Sequence, residues 1–323
     1  MVRLRLAYAG ICGTDLHYYH MGRAGNAIIR EPMVLGHEMS GIVDKLGPNV
    51  DNSLLKPGMP VTINPSTECR ECAFCRSGRQ NLCPALRYFG SAARNPHVQG
   101  IMQEFPVVQA RHCLPLAPDL PLDIAACVEP LAIALHAVAR AGNLLGKSVL
   151  IIGAGPLGAL IAAVAKQNGA FRICITDVED FPLAVAAKLG ADTTINVRRT
   201  PPTGLENTFE VCFEAAGSLD GVNTALEAVA PGGVLVHVGF LPEEIIPYPV
   251  NTKIVRKEIS VLGSLRAYHE FPLAVSMLQS RRLDLSPLVT ATYPLEKIVE
   301  ALEVASDKTR SMKVLLYNGR EGV

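Results

Sequence analysis

Val149-Leu150-Ile151-Ile152-Gly153-Ala154-Gly155-Pro156-Leu157-Gly158 decides the fold. Apolar residues run into a glycine-rich turn, and a helical pattern follows from Pro156 to Asn168, closed by Gly169. Gly153 permits the tight turn. Gly155 lets backbone approach a pyrophosphate at the helix N-terminus, and Gly158 lets helix and strand pack closely. Pro156 and Leu157 complete the dinucleotide-binding loop. A second strand, Phe171 to Thr176, ends at Asp177, about 20 residues past the last glycine, where a carboxylate accepts from both ribose hydroxyls. Val178, Glu179 and Asp180 follow. That acidic cluster repels a 2′-phosphate, so NAD is expected rather than NADP.

The alternation continues outward from this motif. Helical patterns cover 181–189 and 219–229, and strands cover 210–214, 234–239 and 259–263. Such βαβ units form a parallel sheet with both faces covered. Residues 123–263 are therefore expected to be an α/β domain, a doubly wound Rossmann sheet. Residues 1–122 are rich in Pro and Gly, with short apolar runs at 41–43, 60–63 and 105–108, which read as a β-rich domain. Beyond Ser264 come amphipathic helices near 272–280 and 295–305 and a strand at 313–317. That last strand is expected to return to the first domain, so 1–122 and 264–323 are grouped together.

Composition narrows the function. The 323 residues suggest about two domains. Thirty basic and 30 acidic residues cancel, so no field attracts nucleic acid or an anionic membrane. The longest uncharged run, Ser148 to Ala165, holds three Gly and a Pro and divides into strand and helix, which argues against a membrane span. No signal peptide opens the sequence, and a cytoplasmic protein is expected. Nine Cys, four of them between Cys69 and Cys83, argue for metal ligation over disulfides.

Cys69-x2-Cys72-x2-Cys75-x7-Cys83 offers four thiolates, which suit a closed tetrahedral zinc. An iron–sulfur cluster fits less well, because a ferredoxin run has three residues before its last Cys rather than seven. With no ligand position open, this zinc is expected to pin a loop. A second constellation is scattered: Gly10-Ile11-Cys12-Gly13-Thr14-Asp15-Leu16-His17, Gly36-His37-Glu38 and Cys127-Val128-Glu129-Pro130. Cys12, His37 and a carboxylate would make a mixed zinc site with room for water or substrate.

In this chain order the pieces resemble the medium-chain zinc-dependent alcohol and polyol dehydrogenases, over essentially the whole sequence. Gly10 to Tyr19, Pro32 to Glu38, Ile63 to Ser66, Tyr88 to Ala92 and Pro96 to Val98 look most like members acting on sugar acids. The resemblance implies a GroES-like β domain beside the Rossmann sheet and two zinc ions per chain. It implies hydride transfer between NAD and a secondary alcohol of an aldonate or polyol. Cys12 and His37 would ligate the catalytic zinc, with Glu38 or Glu129 completing the shell. Thr14 and His17 would relay the proton, and Asp15 would orient a ligand. Arg266, or else Arg87, would hold a substrate carboxylate, and Tyr18 and Phe89 would shape the pocket wall. A homodimer or homotetramer is implied.

Two departures stand out. Family members carry a further segment ahead of the stretch that begins here at Val2, so the β domain is expected to lack its first strands and to leave an edge unpaired. Gly100-Ile101-Met102 stands where Gly-Gly and an aromatic are usual, so that loop is expected to differ. Rival readings are a member acting on neutral polyols or threonine, and an inactive cofactor-binding relative. Inactive relatives lack the metal ligands, and Cys12, His37, Glu38 and Glu129 are all present.

Overall fold

A computed structural model describes residues 1–51, 53–241 and 246–319. The chain divides into two units, each discontinuous in sequence. The first comprises Met1–Ala132, Ala267–Asp307 and Lys313–Val323. The second comprises Ile133–Arg266 and Lys308–Met312.

The first unit is built on a seven-stranded sheet. Its order runs Val289–Pro294, Lys313–Tyr317, Val2–Gly10, Glu38–Leu46, Pro60–Ile63, Cys113–Pro115, and Val107–Val108 also pairs with Val2–Gly10. The first strand is thus interior, not an edge. Alternation along it buries Val2, Leu4 and Leu6 in a core shared with Met39, Val43, Val61, Ile63, Val314 and Leu316. The strand at 313–317 returns as expected and pairs antiparallel with the first, Gly10 opposite Leu315. On its other side Gly10 lies opposite Glu38. Cys12 therefore emerges just past the end of one strand and His37 just before the start of its neighbour.

The loop at 100–102 is paired backbone to backbone with 34–36. Gly100 N–H donates to the Val34 carbonyl at 2.8 Å and Ile101 N–H to the Gly36 carbonyl at 3.1 Å. A Cβ on Gly100 would lie 2.2 Å from the Leu35 oxygen, so glycine is needed there. Ile101 keeps a negative φ, and its side chain fills the core. The sequence departure is absorbed by burial of an aliphatic side chain.

The second unit holds a six-stranded parallel sheet in the order Thr193–Asn196, Arg172–Asp177, Ser148–Ile152, Phe209–Glu214, Val229–His237, Ser260–Gly263. The strand at 193–196, exposed and polar, escapes a hydrophobic-pattern reading. Ser148–Ile152 is central and buried, and the helix Pro156–Gln167 starts with proline in its first turn. Gly153 has φ +97°, and a Cβ on Gly158 would stand 1.9 Å from the Gly153 oxygen. Around Gly155 a Cβ would meet nothing within 4 Å. The first and last glycines serve the fold, and the middle one leaves open space.

These differences are measurable by urea unfolding. Gly158→Ala should lose about 1–3 kcal/mol, the usual range for overpacking. Gly155→Ala should stay within about 0.5 kcal/mol of the parent. Equal losses would show that the three glycines do not divide their work this way.

Candidate active site

Cys12 caps the helix Gly13–Met21, and Asp15, buried in its first turn, ties two loops together. One Asp15 oxygen accepts from Cys12 N–H at 3.0 Å and the other from Gly36 N–H at 3.1 Å. The backbones that carry Cys12 and His37 are thereby cross-linked by one carboxylate. Ligand atoms of Cys12, His37 and Glu38 lie within 4.8 Å of one another. His37 and Glu38 are buried, and Cys12 is half-buried.

Glu129 sits in the first turn of the helix Val128–Ala141, also buried. The Tyr88 hydroxyl donates to it at 2.5 Å, and the Tyr88 ring packs edge-on against His37 with centroids 5.5 Å apart. Burial pushes the carboxyls of Asp15 and Glu129 up, opposed chiefly by His37. The cluster holds two cationic groups, His37, whose pKa burial lowers but Cys12, Asp15 and Glu129 together hold well above the ordinary range, and Lys313. Burial works against its charge, but Glu38 and then Cys12 hold its pKa above the ordinary range. Cys12, Asp15, Glu38 and Glu129 thus place four acidic side chains around one lysine and one histidine. A thiolate, an imidazole and carboxylates in a buried pocket are a donor set suited to a dipositive metal.

The four lobe cysteines also bring their sulfurs within 4.8 Å of one another. Backbone N–H groups point at them: Cys72 N–H donates to Cys69 Sγ and Cys75 N–H to Cys72 Sγ, each at 3.4 Å. Such donors, with Glu71 N–H first, hold the Cys69 thiol below its ordinary pKa. Thiolate is the form that ligates metal. Glu68, just before the lobe, is buried between Arg70 at 2.7 Å and Arg111 at 3.2 Å.

In the second unit Asp177 closes the glycine loop. Its oxygens accept from Ala154 N–H at 2.7 Å and Glu179 N–H at 3.0 Å. The acidic neighbours are not bare. Arg198 reaches Glu179 and Arg199 reaches Asp180, both at 2.5 Å. The acidic cluster expected to repel a 2′-phosphate is therefore partly neutralised by ion pairing, and Asp177 is its member held by backbone N–H groups.

The remaining expected site residues fare unequally. Thr14 and His17 lie three apart on one helix, half-buried and exposed. The Tyr18 hydroxyl accepts from Ala92 N–H at 3.0 Å, and Phe89 packs against the His112 ring. Arg87 is exposed, turned to the opposite face from Tyr88 by strand alternation. That separates it from Glu129 and His37. Arg266 belongs to the second unit, half-buried with φ +56°. Tyr88 and Lys313 were not singled out as site residues from the sequence. Tyr88 belongs to the Tyr88–Ala92 stretch that carries part of the family resemblance, and an isolated lysine at the head of an apolar strand is the one sequence signal for Lys313.

Known proteins share this arrangement. The profile of the alcohol dehydrogenase GroES-like domain matches residues 1–119, and that of the zinc-binding dehydrogenases matches residues 156–280. L-idonate 5-dehydrogenase (NAD(P)(+)) of Escherichia coli K12 is 40% identical over 316 residues, 97% of this chain and 90% of that one. The chain belongs to the medium-chain zinc-dependent alcohol and polyol dehydrogenases. The crystal structure of the E. coli enzyme matches with TM-score 0.93, covering 98% of this chain and 90% of that one at 39% identity. Rat sorbitol dehydrogenase is 38% identical, covering 98% of this chain and 88% of its own. A zinc-binding dehydrogenase of Sinorhizobium meliloti, solved with NADP, matches at 26% identity and TM-score 0.88 over 98% of this chain and 91% of that one. As a member of this family the protein is an alcohol oxidoreductase that uses zinc and a nicotinamide dinucleotide. Among the described residues no helix is long and apolar enough to cross a membrane.

Tyr88→Phe keeps the ring against His37 and removes the hydroxyl from Glu129. A buried carboxylate left short of a donor should cost about 1–3 kcal/mol. Unchanged stability in urea would show that Glu129 finds another donor.

Proposed function

We propose that the protein oxidises a secondary hydroxyl of a sugar acid with NAD, the best-supported reaction being L-idonate to 5-keto-D-gluconate. The observation that carries the enzyme reading is the buried convergence of Cys12, His37 and Glu38, with Glu129 behind His37. Cys12 and His37 with Glu38 or Glu129 would hold the catalytic zinc, and Cys69, Cys72, Cys75 and Cys83 the second, structural ion. Zinc at the Cys12–His37 site would supply Lewis acidity toward the alcohol oxygen, and a bound nicotinamide would supply the hydride acceptor.

The chain's own residues do the rest. Asp15 keeps Cys12 and His37 in register through the two backbone N–H groups it accepts from. The Thr14 hydroxyl would accept the proton of the reacting hydroxyl while donating its own onward along the relay, and His17, exposed on the same helix, would release a proton to water. Gly155 leaves the space for the pyrophosphate, Gly153 and Gly158 let the loop turn and pack, and Pro156 and Leu157 start the helix beneath it. Asp177 exchanges its bond to Ala154 N–H for the ribose hydroxyls and so favours NAD over NADP. Arg266 is the proposed partner of the aldonate carboxylate, because a protein of zero net charge needs a positioned guanidinium for that anion. Arg87, turned to solvent, is the weaker candidate. Tyr18 and Phe89 hold the wall rather than touch the reacting atoms. The working form is taken to be a homodimer or homotetramer.

Elemental analysis should find two zinc ions per chain. Cys12→Ser should lose one, and the activity with it, while remaining folded. Cys72→Ser should lose stability, since metal-binding free energy also stabilises the fold. A wild type with one zinc, or an active Cys12→Ser, would refute the assignment.

Support for L-idonate comes from the 40% relative, and the 38% sorbitol dehydrogenase marks the rival reading. NADH absorbance with L-idonate, sorbitol and xylitol, each with NAD and NADP, separates them. L-idonate with NAD should give the highest kcat/KM. Arg266→Asn tolerates the positive φ and should lower kcat/KM for L-idonate by about one to two decades, and far less for sorbitol. Faster turnover of sorbitol or xylitol by the wild type would overturn the substrate, and a preference for NADP would overturn the role of Asp177.

A further inference from the structure

The four-cysteine lobe closes on a very short piece of sheet. Ser66 pairs with Tyr88 and Thr67 with Arg87, and each strand is two residues long. Phe89 N–H extends the ladder by donating to the Pro65 carbonyl at 3.2 Å. Residues 68–86 leave one strand and return to the other, with Cys69 two residues past Thr67 and Cys83 five before Tyr88. Inside this loop are a helical turn, Ala73–Arg76, and a 3-10 turn, Gln80–Leu82. Its buried cluster consists of Cys75, Cys83 and Leu86, with Cys69 and Cys72 packed against them. An isolated two-stranded pair is marginal in water, and this cluster brings it one aliphatic side chain. The thiols are therefore the core of the lobe. A metal joining Cys69 to Cys83 takes the place of hydrophobic burial and removes the freedom of the chain between them.

Tyr88 stands both at the base of that loop and inside the candidate active site. Its neighbour Arg87 is exposed, so the alternation of the strand turns Tyr88 inward. The hydroxyl donates to Glu129, in the helix Val128–Ala141, and the ring packs edge-on against His37, just ahead of the strand Glu38–Leu46. Glu129 is buried, so withdrawing the hydroxyl leaves its carboxylate short of a donor. Leu86, whose N–H donates to the Cys83 carbonyl at 3.0 Å, joins the last cysteine to this strand. A displacement at Cys83 thus has a short covalent and hydrogen-bonded route to His37 and Glu129.

We propose that Tyr88 is a positioning residue that couples the two metal sites. A filled four-cysteine lobe holds Ser66 against Tyr88. That pairing holds the Tyr88 ring on His37 and its hydroxyl on Glu129, and the Cys12–His37 site then binds its ion more tightly. The coupling rests on the reading of both clusters as zinc sites. Coupling between two binding sites is reciprocal, so an ion at Cys12 and His37 must tighten the lobe by the same factor.

That reciprocity gives the test, because the lobe can be watched while the other site is emptied. In the cobalt-substituted protein the four thiolates dominate the sulfur-to-metal absorption, and a chelator titration follows its loss. Cys12→Ser empties the Cys12–His37 site and should weaken cobalt in the lobe about tenfold, within the usual range for coupled sites. Tyr88→Phe cuts the link to Glu129, so in that background Cys12→Ser should weaken the lobe by about threefold or less. An equal weakening in both backgrounds, or none with Tyr88 in place, would overturn the proposal. If Cys12→Ser does not fold, the 13C-labelled ring of Tyr88 in the wild type is followed during the same titration, its signal identified by its loss in Tyr88→Phe. It should move in step with the sulfur-to-cobalt band, and a signal unmoved while that band is lost would sink the coupling. A wild type that binds one metal, or whose metal content Cys12→Ser leaves unchanged, would instead bring down the two-zinc reading, whatever the lobe does.

Discussion

The register of three strands at Gly10 is the constraint on which the candidate active site depends. Gly10 lies opposite Glu38 on one side and Leu315 on the other. From that pairing alone Cys12, His37, Glu38 and Lys313 become neighbours, although they come from distant parts of the chain. A slip of one residue in either pairing would send Glu38 or Lys313 to the opposite face of the sheet, because side chains alternate along a strand. The apolar residues of Val2–Gly10 resist such a slip, since it would also turn Val2, Leu4 and Leu6 out of the core.

Charge then refines what register sets up. Asp15 and Glu129 are buried acids that use neutral donors, two backbone N–H groups and the Tyr88 hydroxyl. Glu38 is paired with the Lys313 ammonium. A pocket in which acids outnumber bases is poorly stable when dry and empty, and it is relieved by a bound dication. The lobe of four cysteines follows the same physics with backbone amides as its donors, and there every ligand comes from one short loop.

That difference explains how much could be read from the sequence. The glycine loop and the four-cysteine lobe are local. Each needs only residues a few positions apart, and spacing carries the geometry. The alternation of strand and helix likewise outlined the parallel sheet, although Thr193–Asn196 lacks the apolar run that marks its neighbours. Cys12, His37 and Glu129 became a site only through family resemblance, because no local rule joins residues so far apart. Tyr88 meets Glu129 from 41 residues away, and Lys313 meets Glu38 from 275. Neither contact has a sequence signature. The pairing of Arg198 and Arg199 with Glu179 and Asp180 was hidden for the same reason, since it needs the strand that the pattern missed.

Because Lys313–Tyr317 completes the sheet of the first unit, that unit cannot finish folding in the order in which it is made. The Tyr8–Gly10 end of one side of Val2–Gly10 waits for a partner that lies beyond the whole second unit, while residues 104–108 cover the rest of that side. At about 5–20 residues per second, the wait on the ribosome is roughly 15–60 s. Through that interval the backbone edge at Tyr8–Gly10 stands unpaired and Glu38 has no ammonium to neutralise it. The second unit, nearly continuous and rich in local βαβ contacts, can fold meanwhile.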